Sequence, residues 1–317
     1  MKKTVAAVIG VGALGRHHAR IYSQLPQAEL AAVVDIDAPR GQKIASQYGC
    51  PFYDHVSKLP EAVEAVSVAV PTVDHAKIAV PLLGRGIHVL VEKPIASSLT
   101  EADEMRGAAA TGQARLHVGH SERFNPALRA VRPHIDQPGF FEVHRMGAFS
   151  GRSMDIDVVL DLMIHDIDLL LHLVGREISE VRAVGIPVLT DKVDIANARL
   201  QFDNGCVANV TASRISLEKI RKLRLFQPHD YISLDLAARK VEMYSLDSSQ
   251  ADASPSILPR LFEIDETEPL RAEIEAFLED APEACSGSEG RKALSLALQI
   301  REVIDRQEMV RQLTQQS

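Results

Sequence analysis

The chain has 317 residues, 46% of them hydrophobic and 25% charged, a composition typical of a soluble globular protein long enough for two domains. The net charge of −8 argues against nucleic acid or an anionic membrane surface as the main partner. Its three cysteines are far apart, and it has no apolar run of about eighteen residues. We therefore expect a cytoplasmic protein without a transmembrane helix.

The N-terminal segment contains a glycine-rich turn between an apolar run, residues 4–9, and a predicted helix, residues 16–25. Gly10 would permit a tight turn, Gly12 would let the backbone approach a pyrophosphate, and Gly15 would let helix and strand pack closely. The N–H groups at the helix start would face the phosphates. The alternative is an ordinary strand–turn–helix connection without a ligand. The residues predicted to bind the cofactor here are Gly10, Gly12, Ala13, Leu14 and Gly15.

The second predicted strand, residues 30–34, ends at Asp35, 20 residues after Gly15. A carboxylate at this position can accept hydrogen bonds from the ribose hydroxyls of the adenosine. It would also repel a 2′-phosphate, which favours NAD over NADP. Arg40 keeps NADP open as the alternative, because an arginine near this site can bind that phosphate.

Strands and helices alternate through the first part of the chain. The pattern predicts further helices at residues 38–48, 76–84 and 102–110, and further strands at 65–70, 87–91 and 116–119. Strands separated by helices of about ten residues indicate an α/β fold with a doubly wound parallel sheet. We predict that residues 1–121 form a dinucleotide-binding domain.

The remaining residues, 122–317, have a different rhythm and are predicted to form a second domain. Consecutive strands without intervening helices indicate a mostly antiparallel sheet, with the turn Asp203-Asn204-Gly205 joining two of them. A long apolar helix is predicted over 158–174 and ends before Gly175. Residues 247–259 are predicted to be a loop. The predicted strands are 140–149, 181–188, 196–202, 206–213, 223–226, 231–236 and 240–246, and the last helices are 269–280 and 291–313.

Glu92-Lys93-Pro94 follows a predicted parallel strand, at the sheet edge where doubly wound folds bind ligands. Pro94 would hold Lys93 in an extended conformation and so fix the direction of its side chain. A lysine beside the nicotinamide can stabilise a developing alkoxide or relay a proton. Glu92 and Lys93 are thus predicted to lie at the cofactor, the alternative being a surface lysine in a strand-to-helix turn.

The long apolar helix carries a polar stripe of Asp161, His165, Asp168 and His172, which lie within about 60° of one another at about 100° per residue. Buried carboxylates and imidazoles are costly unless paired, so the stripe should face a cleft or a network. Asp161 could orient His165 as a general base. The alternatives are a shared cation, for which no third ligand is evident, and a hydrogen-bonded core histidine.

Two polar residues follow the strand predicted at 65–70. Thr72 and His75 could reach the ribose or phosphates of the cofactor from the start of the next helix. The alternative, compatible with that role, is a helix cap formed by Thr72 or Asp74.

These signals, in this order and over essentially the whole chain, resemble the Gfo/Idh/MocA oxidoreductase family. The resemblance implies a Rossmann domain and an α/β domain with a large open sheet, often used to form dimers or tetramers. It also implies NAD or NADP, a sugar-like alcohol or ketone as substrate, and catalysis by Lys93, Asp161 and His165. With no third ligand evident beside Asp161 and His165, we predict no metal site. The motifs that carry the resemblance are residues 10–15, Asp35, Pro71-Thr72 with His75, Glu92-Lys93-Pro94, and Asp161 with His165.

A finer resemblance, carried by residues 118–126 and 155–168, is to a branch of the family that oxidises the 3-hydroxyl of UDP-N-acetylglucosamine. In bacteria that step precedes a sugar aminotransferase and feeds amide-linked lipid A. The resemblance implies substrate contacts by Arg123, Asn125, Arg152 and His165. Other functions stay open: a dehydrogenase of another sugar or of an inositol-type polyol, an NAD-dependent glycoside hydrolase of the same fold, and a non-catalytic NAD-binding sensor.

Overall fold

A computed structural model describes residues 2–149, 156–247 and 256–315, and its chain divides into two compact units. The first unit comprises Met1–Phe124 and Thr267–Leu294, and the second comprises Asn125–Glu266 and Ser295–Ser317. The first segment ends three residues after the predicted boundary at residue 121. Residues 267–294 were expected in the second domain but belong to the first unit, because Ile274 and Phe277 pack into its core.

The first unit contains a six-stranded parallel sheet in the order β3-β2-β1-β4-β5-β6. Its strands are β1 (Thr4–Ile9), β2 (Ala28–Val34), β3 (Phe52–Tyr53), β4 (Ala65–Val68), β5 (His88–Glu92) and β6 (Leu116–Gly119). The strand order reverses between β1 and β4, and doubly wound sheets bind ligands at such a reversal. All four residues of β4 are buried, as expected for a parallel strand covered on both faces.

The second unit contains an eight-stranded sheet in the order β14-β13-β12-β11-β7-β10-β9-β8. Its strands are β7 (Phe140–Met146), β8 (Ile178–Ile186), β9 (Ile195–Phe202), β10 (Val207–Ser213), β11 (Ile220–Gln227), β12 (Asp230–Asp235), β13 (Lys240–Asp247) and β14 (Ser256–Arg260). Neighbouring strands run antiparallel except β7 and β10, which are parallel. The predicted α/β fold, with a parallel sheet and a mostly antiparallel one, is confirmed.

The α-helices of the described residues are α1 (Gly15–Gln24), α2 (Ala38–Tyr48), α3 (His75–Gly84), α4 (Leu99–Gly112), α5 (Pro126–Val131), α6 (Ile164–Val174), α7 (Pro269–Glu279) and α8 (Gly287–Gln315). None of the helices described is both long and apolar enough to cross a membrane. Helix α4 begins earlier than predicted because Ser98 caps it by accepting a hydrogen bond from the Glu101 N–H at 3.2 Å.

The structure contains two elements that were not predicted and a strand within a predicted loop. Helix α5 and strand β3 were missed, because each is too short to show a periodicity. Of the predicted loop at 247–259, residues 248–255 lie outside the described residues, and Ser256–Arg260 forms β14 by pairing with β13.

Candidate active site

The glycine turn after β1 has the geometry that a dinucleotide requires. Gly10 adopts a φ of +81°, and a side chain on Gly15 would place its Cβ 1.8 Å from the Gly10 carbonyl oxygen. A Cβ on Gly12, by contrast, would meet no atom within 4 Å. Helix α1 starts at Gly15 without a side-chain cap, and Ala13 and Leu14 are exposed ahead of it. Gly10 and Gly15 therefore pack the turn, while the open space at Gly12 fits a pyrophosphate.

This difference predicts opposite outcomes for two matched substitutions. Gly15→Ala should lower the free energy of unfolding by about 3 kcal/mol or prevent folding, because the new methyl overlaps a backbone carbonyl. Gly12→Ala should fold like the wild type but bind NAD at least about tenfold more weakly, because the methyl fills the space for the phosphates. Urea unfolding and calorimetric titration with NAD measure the two effects. Equal stability losses in both variants would contradict this account of the turn.

A cleft of 740 Å³ lies at the carboxyl ends of β1, β2 and β4. The turn glycines Gly10 and Gly12 line it, together with Asp35 and Arg40 from the end of β2 and the start of α2. Ile36 also lines the cleft and is 94% exposed. The cleft therefore brings Gly10, Gly12 and Asp35 together, with the exposed side chain of Ile36 beside them.

Asp35 is buried, and both of its carboxylate oxygens accept hydrogen bonds. One oxygen accepts from the Val11 N–H at 2.8 Å and from Arg40 Nε at 3.0 Å. The other accepts from the Asp37 N–H at 2.8 Å and from Arg40 Nη2 at 2.6 Å. Burial alone would raise the pKa of Asp35, but the hydrogen bonds from Arg40 and the two N–H groups hold it below its usual value. The Arg40 guanidinium, which could bind the 2′-phosphate of NADP, is thus paired with the Asp35 carboxylate, which favours NAD.

Removing Asp35 should therefore shift the cofactor preference. In Asp35→Ser the carboxylate that would repel a 2′-phosphate is lost and Arg40 is released. We expect kcat/KM for NAD to fall roughly tenfold and kcat/KM for NADP to rise by a similar factor. Steady-state kinetics with both cofactors measure the change. Asp35→Ser with Arg40→Ala should lose the gain for NADP, and a gain that persists in the double variant would show that Arg40 is not its source.

Glu92-Lys93-Pro94 lies where predicted, at the carboxyl end of β5, and Lys93 is half-buried. The Glu92 carboxylate is turned inward: Oε1 lies 3.0 Å from His18 Nε2, and Oε2 accepts from the Lys93 N–H at 3.3 Å. His18 is 1% exposed and was not identified from the sequence. Lys93 thus lies at the carboxyl edge of the sheet, and its backbone N–H is held by the Glu92 carboxylate.

His75 and Thr72 lie at the end of β4, as predicted, but His75 faces the protein. It is buried, with Nδ1 3.0 Å from the Pro94 carbonyl oxygen and Nε2 3.0 Å from that of Val70. Burial lowers the pKa of His75, and the carbonyl contacts only partly offset this. Helix α3 has no side-chain cap, so the capping alternative for Thr72 and Asp74 is wrong. Thr72 is half-buried, and a cofactor contact by either residue stays a prediction.

In the second unit, Asp161 and His165 lie on consecutive turns and are half-buried. The predicted uninterrupted α-helix over 158–174 is wrong at its start: Val159–Met163 is a π-helical turn, followed by α6. Its longer hydrogen-bonded ring changes the angle between Asp161 and His165, and such turns are frequent at functional sites. The predicted end at Gly175 is confirmed by a left-handed φ of 64°.

Two carboxylates fix this helical segment within its unit. Asp157 accepts hydrogen bonds from the Val159 and Leu160 N–H groups at 2.9 and 3.1 Å, which caps the π-helical turn. Asp166, next to His165, forms a two-pronged ion pair with Arg145 at 2.8 Å for each contact, and both side chains are buried. His165 therefore extends from a segment held at its start and in its first α-helical turn.

The residues predicted to contact substrate have varied surroundings. Arg123 is 1% exposed at its side chain and pairs with Glu289 at 2.8 Å. Asn125 is buried, caps α5 by accepting from the Ala127 N–H, and donates to the Leu236 carbonyl oxygen at 2.9 Å. Arg152 lies outside the described residues. The structure thus gives Arg123 and Asn125 a role in local structure, and their contact with substrate stays a prediction.

Comparisons with known proteins agree with this geometry. Residues 5–120 match the family described as "Oxidoreductase family, NAD-binding Rossmann fold", and residues 127–226 match the "GFO/IDH/MocA C-terminal domain". The UDP-N-acetylglucosamine 3-dehydrogenase of Acidithiobacillus ferrooxidans is 38% identical over 94% of this chain and 96% of its own length. The chain belongs to the Gfo/Idh/MocA oxidoreductase family. A solved structure of that enzyme superimposes with a TM-score of 0.89, at 37% identity, over 96% of this chain and 99% of the other.

A more distant relative is the inositol 2-dehydrogenase of Rhizobium meliloti, which is 27% identical over 92% of this chain and 93% of its own length. The predicted oxidoreductase family and its NAD-binding Rossmann fold are confirmed. Sequence reasoning missed His18 and Ile36 within that fold. The signal for His18 was a histidine one turn into the helix that follows the glycine turn, and for Ile36 an apolar residue between two acids at a strand end.

Proposed function

We propose that this protein is an NAD-dependent dehydrogenase that oxidises the 3-hydroxyl of UDP-N-acetylglucosamine to a ketone. The observation that carries the proposal is the similarity, from end to end of both chains, to the Acidithiobacillus ferrooxidans enzyme of that name. The cleft at the glycine turn, with Asp35 and its partner Arg40, supports NAD as the cofactor.

We propose catalytic roles for three residues. Oxidation of a secondary alcohol removes a proton from the oxygen and a hydrogen with its electron pair from the carbon. His165 takes the proton, Asp161 orients and charge-stabilises the imidazole, and Lys93 donates a hydrogen bond to the oxygen as the carbonyl forms. Bound NAD would be the oxidant, accepting the carbon-bound hydrogen with its electron pair. An exchange of the roles of Lys93 and His165 is the competing assignment, and the two predict different chemical rescue.

We propose that Arg123, Asn125, Arg152 and His165 contact the nucleotide sugar. The ion pair of Arg123 with Glu289 and the hydrogen bonds of Asn125 with Ala127 and Leu236 would hold Arg123 and Asn125 in fixed positions before substrate binds. Substituting Arg123 or Asn125 should therefore raise KM for the nucleotide sugar and leave the Kd for NAD unchanged.

We further propose a biological context that follows from the chemistry of the product. A 3-keto sugar is a substrate for a sugar aminotransferase, which would install an amine for amide-linked lipid A. The enzyme would act in the cytoplasm as a homodimer or homotetramer.

The test is NADH formation by the purified protein with NAD and a panel of UDP-sugars, free sugars and inositols, with and without an aminotransferase. The coupling enzyme is needed because removing the ketone displaces an unfavourable equilibrium. Turnover with UDP-N-acetylglucosamine and none with the other compounds is the expected result. Turnover on inositols alone would favour the activity of the inositol dehydrogenases, and release of free sugar without net NADH would favour glycoside hydrolysis.

A further inference from the structure

A buried chain of polar side chains crosses the first unit from α1 to the end of β5. Tyr22 Oη lies 3.0 Å from Ser67 Oγ, Ser67 Oγ lies 3.0 Å from His18 Nδ1, and His18 Nε2 lies 3.0 Å from Glu92 Oε1. The Tyr22, Ser67 and His18 side chains are at most 1% exposed, and that of Glu92 is 12% exposed. Such a network is costly to bury unless each member is hydrogen-bonded, so its presence requires an explanation.

The carboxylate of Glu92 fixes the direction of its hydrogen bond with His18. Burial tends to raise the pKa of Glu92, but the contacts with His18 and Lys93 outweigh it and keep that pKa below its usual value. A carboxylate only accepts, so His18 Nε2 carries the proton and donates to Glu92. His18 Nδ1 lies against the Ser67 hydroxyl, which in turn lies against the hydroxyl of Tyr22, whose pKa is raised by burial.

The second oxygen of Glu92 connects this chain to Lys93. Glu92 Oε2 accepts from the Lys93 backbone N–H at 3.3 Å. It fits beside Gly119 of β6, where a Cβ would lie only 3.1 Å from Oε2. Glu92 is thus held by His18 on one oxygen and closes over the Lys93 backbone with the other.

We propose that His18 is a positioning residue, which holds the Glu92 carboxylate so that the backbone of Lys93, and with it the direction of the Lys93 side chain, is fixed. The consequence for catalysis rests on the proposed function, since Lys93 is assigned there to the reacting oxygen. Misplacing a reactive group by about 1 Å can lower the rate roughly 100-fold. The gain in rate from a fixed Lys93 can therefore offset the cost of burying these polar groups.

Two isosteric substitutions separate the contacts of His18. In His18→Gln the amide nitrogen takes the place of Nε2 and can still donate to Glu92, whereas in His18→Asn it takes the place of Nδ1 and cannot. His117→Gln, at another buried histidine of the same unit, is the matched control for loss of a core imidazole. The first readout is competitive acetylation of Lys93, measured by mass spectrometry without cofactor or substrate. The second is kcat and KM for NAD.

We expect His18→Asn to raise the acetylation rate of Lys93 roughly threefold or more and to lower kcat roughly tenfold or more, with KM for NAD unchanged. His18→Gln and His117→Gln should resemble the wild type in both readouts. Should His18→Asn fail to fold, Gly119→Ala displaces Glu92 from its other side and should raise Lys93 acetylation in the same way.

Unchanged Lys93 acetylation in both His18→Asn and Gly119→Ala would overturn the proposal. So would losses of kcat in His18→Asn, His18→Gln and His117→Gln that scale with the loss of thermal stability in each variant, because that is the pattern of a structural role. A wild-type protein inactive on every sugar would refute the proposed function, while Lys93 acetylation would still decide whether His18 positions the lysine.

Discussion

Replacing Lys93 with alanine is expected to lower kcat by roughly 100- to 1,000-fold while the Kd for NAD stays within about threefold of the wild type. The half-buried lysine lies at the carboxyl end of β5, whereas the glycine turn and Asp35 supply the main contacts proposed for the dinucleotide. A hydrogen bond made to the developing alkoxide affects the transition state more than binding. Steady-state kinetics give kcat, and calorimetric titration gives the Kd for NAD.

Lys43→Ala is the control for this experiment, because Lys43 is an exposed lysine on α2 of the same unit. It should leave kcat and the Kd for NAD unchanged. Unchanged turnover in Lys93→Ala would remove Lys93 from the chemistry. A loss of NAD affinity as large as the loss of kcat would make Lys93 a cofactor-binding residue instead.

His165→Ala is expected to lower kcat by roughly 100- to 10,000-fold, the range typical of losing a general base. Because the substitution leaves a space of the size of the ring, added imidazole should restore part of the activity in proportion to its concentration. Asp161→Asn should cause a smaller loss, since it removes the group that orients and stabilises the imidazole but keeps the base. Rates measured across an imidazole series report the rescue.

The rescue also separates the two assignments of the proton acceptor. If Lys93 accepts the proton, imidazole will not rescue His165→Ala, and small primary amines will rescue Lys93→Ala. His172→Ala is the matched control, a half-buried histidine near the end of the same helix. A loss of kcat in His172→Ala as large as in His165→Ala would indicate damage to the helix rather than loss of a base.

The parts of the site that could be predicted depend on short stretches of chain. The roles of Gly10, Gly12 and Gly15 follow from a turn of six residues, and the structure gives each glycine surroundings that match its predicted role. Asp35 was found from its spacing, and the position of Lys93 from a strand that ends in proline. The confirmed fold follows likewise from the alternation of strands and helices, which is a local pattern.

The parts that could not be predicted depend on partners far apart in the sequence. His18 and Glu92 are 74 residues apart, and Arg123 and Glu289 are 166 apart, so no local pattern indicates either pair. Helix α7 shows an ordinary amphipathic pattern, which cannot tell which of two cores its apolar face joins. The π-helical turn before α6 likewise reflects hydrogen bonding that an α-helical periodicity does not reveal.

The most direct test of the central claim uses UDP-N-acetylglucosamine with deuterium at carbon 3. The protein is incubated with this substrate, NAD and a coupling aminotransferase, and the NADH formed is analysed by mass spectrometry. The account predicts that the NADH carries one deuterium, and that kcat is lower than with unlabelled substrate if the transfer limits the rate. NADH without deuterium would place the oxidation at another carbon, and no NADH at all, with turnover on another sugar, would contradict the proposed substrate.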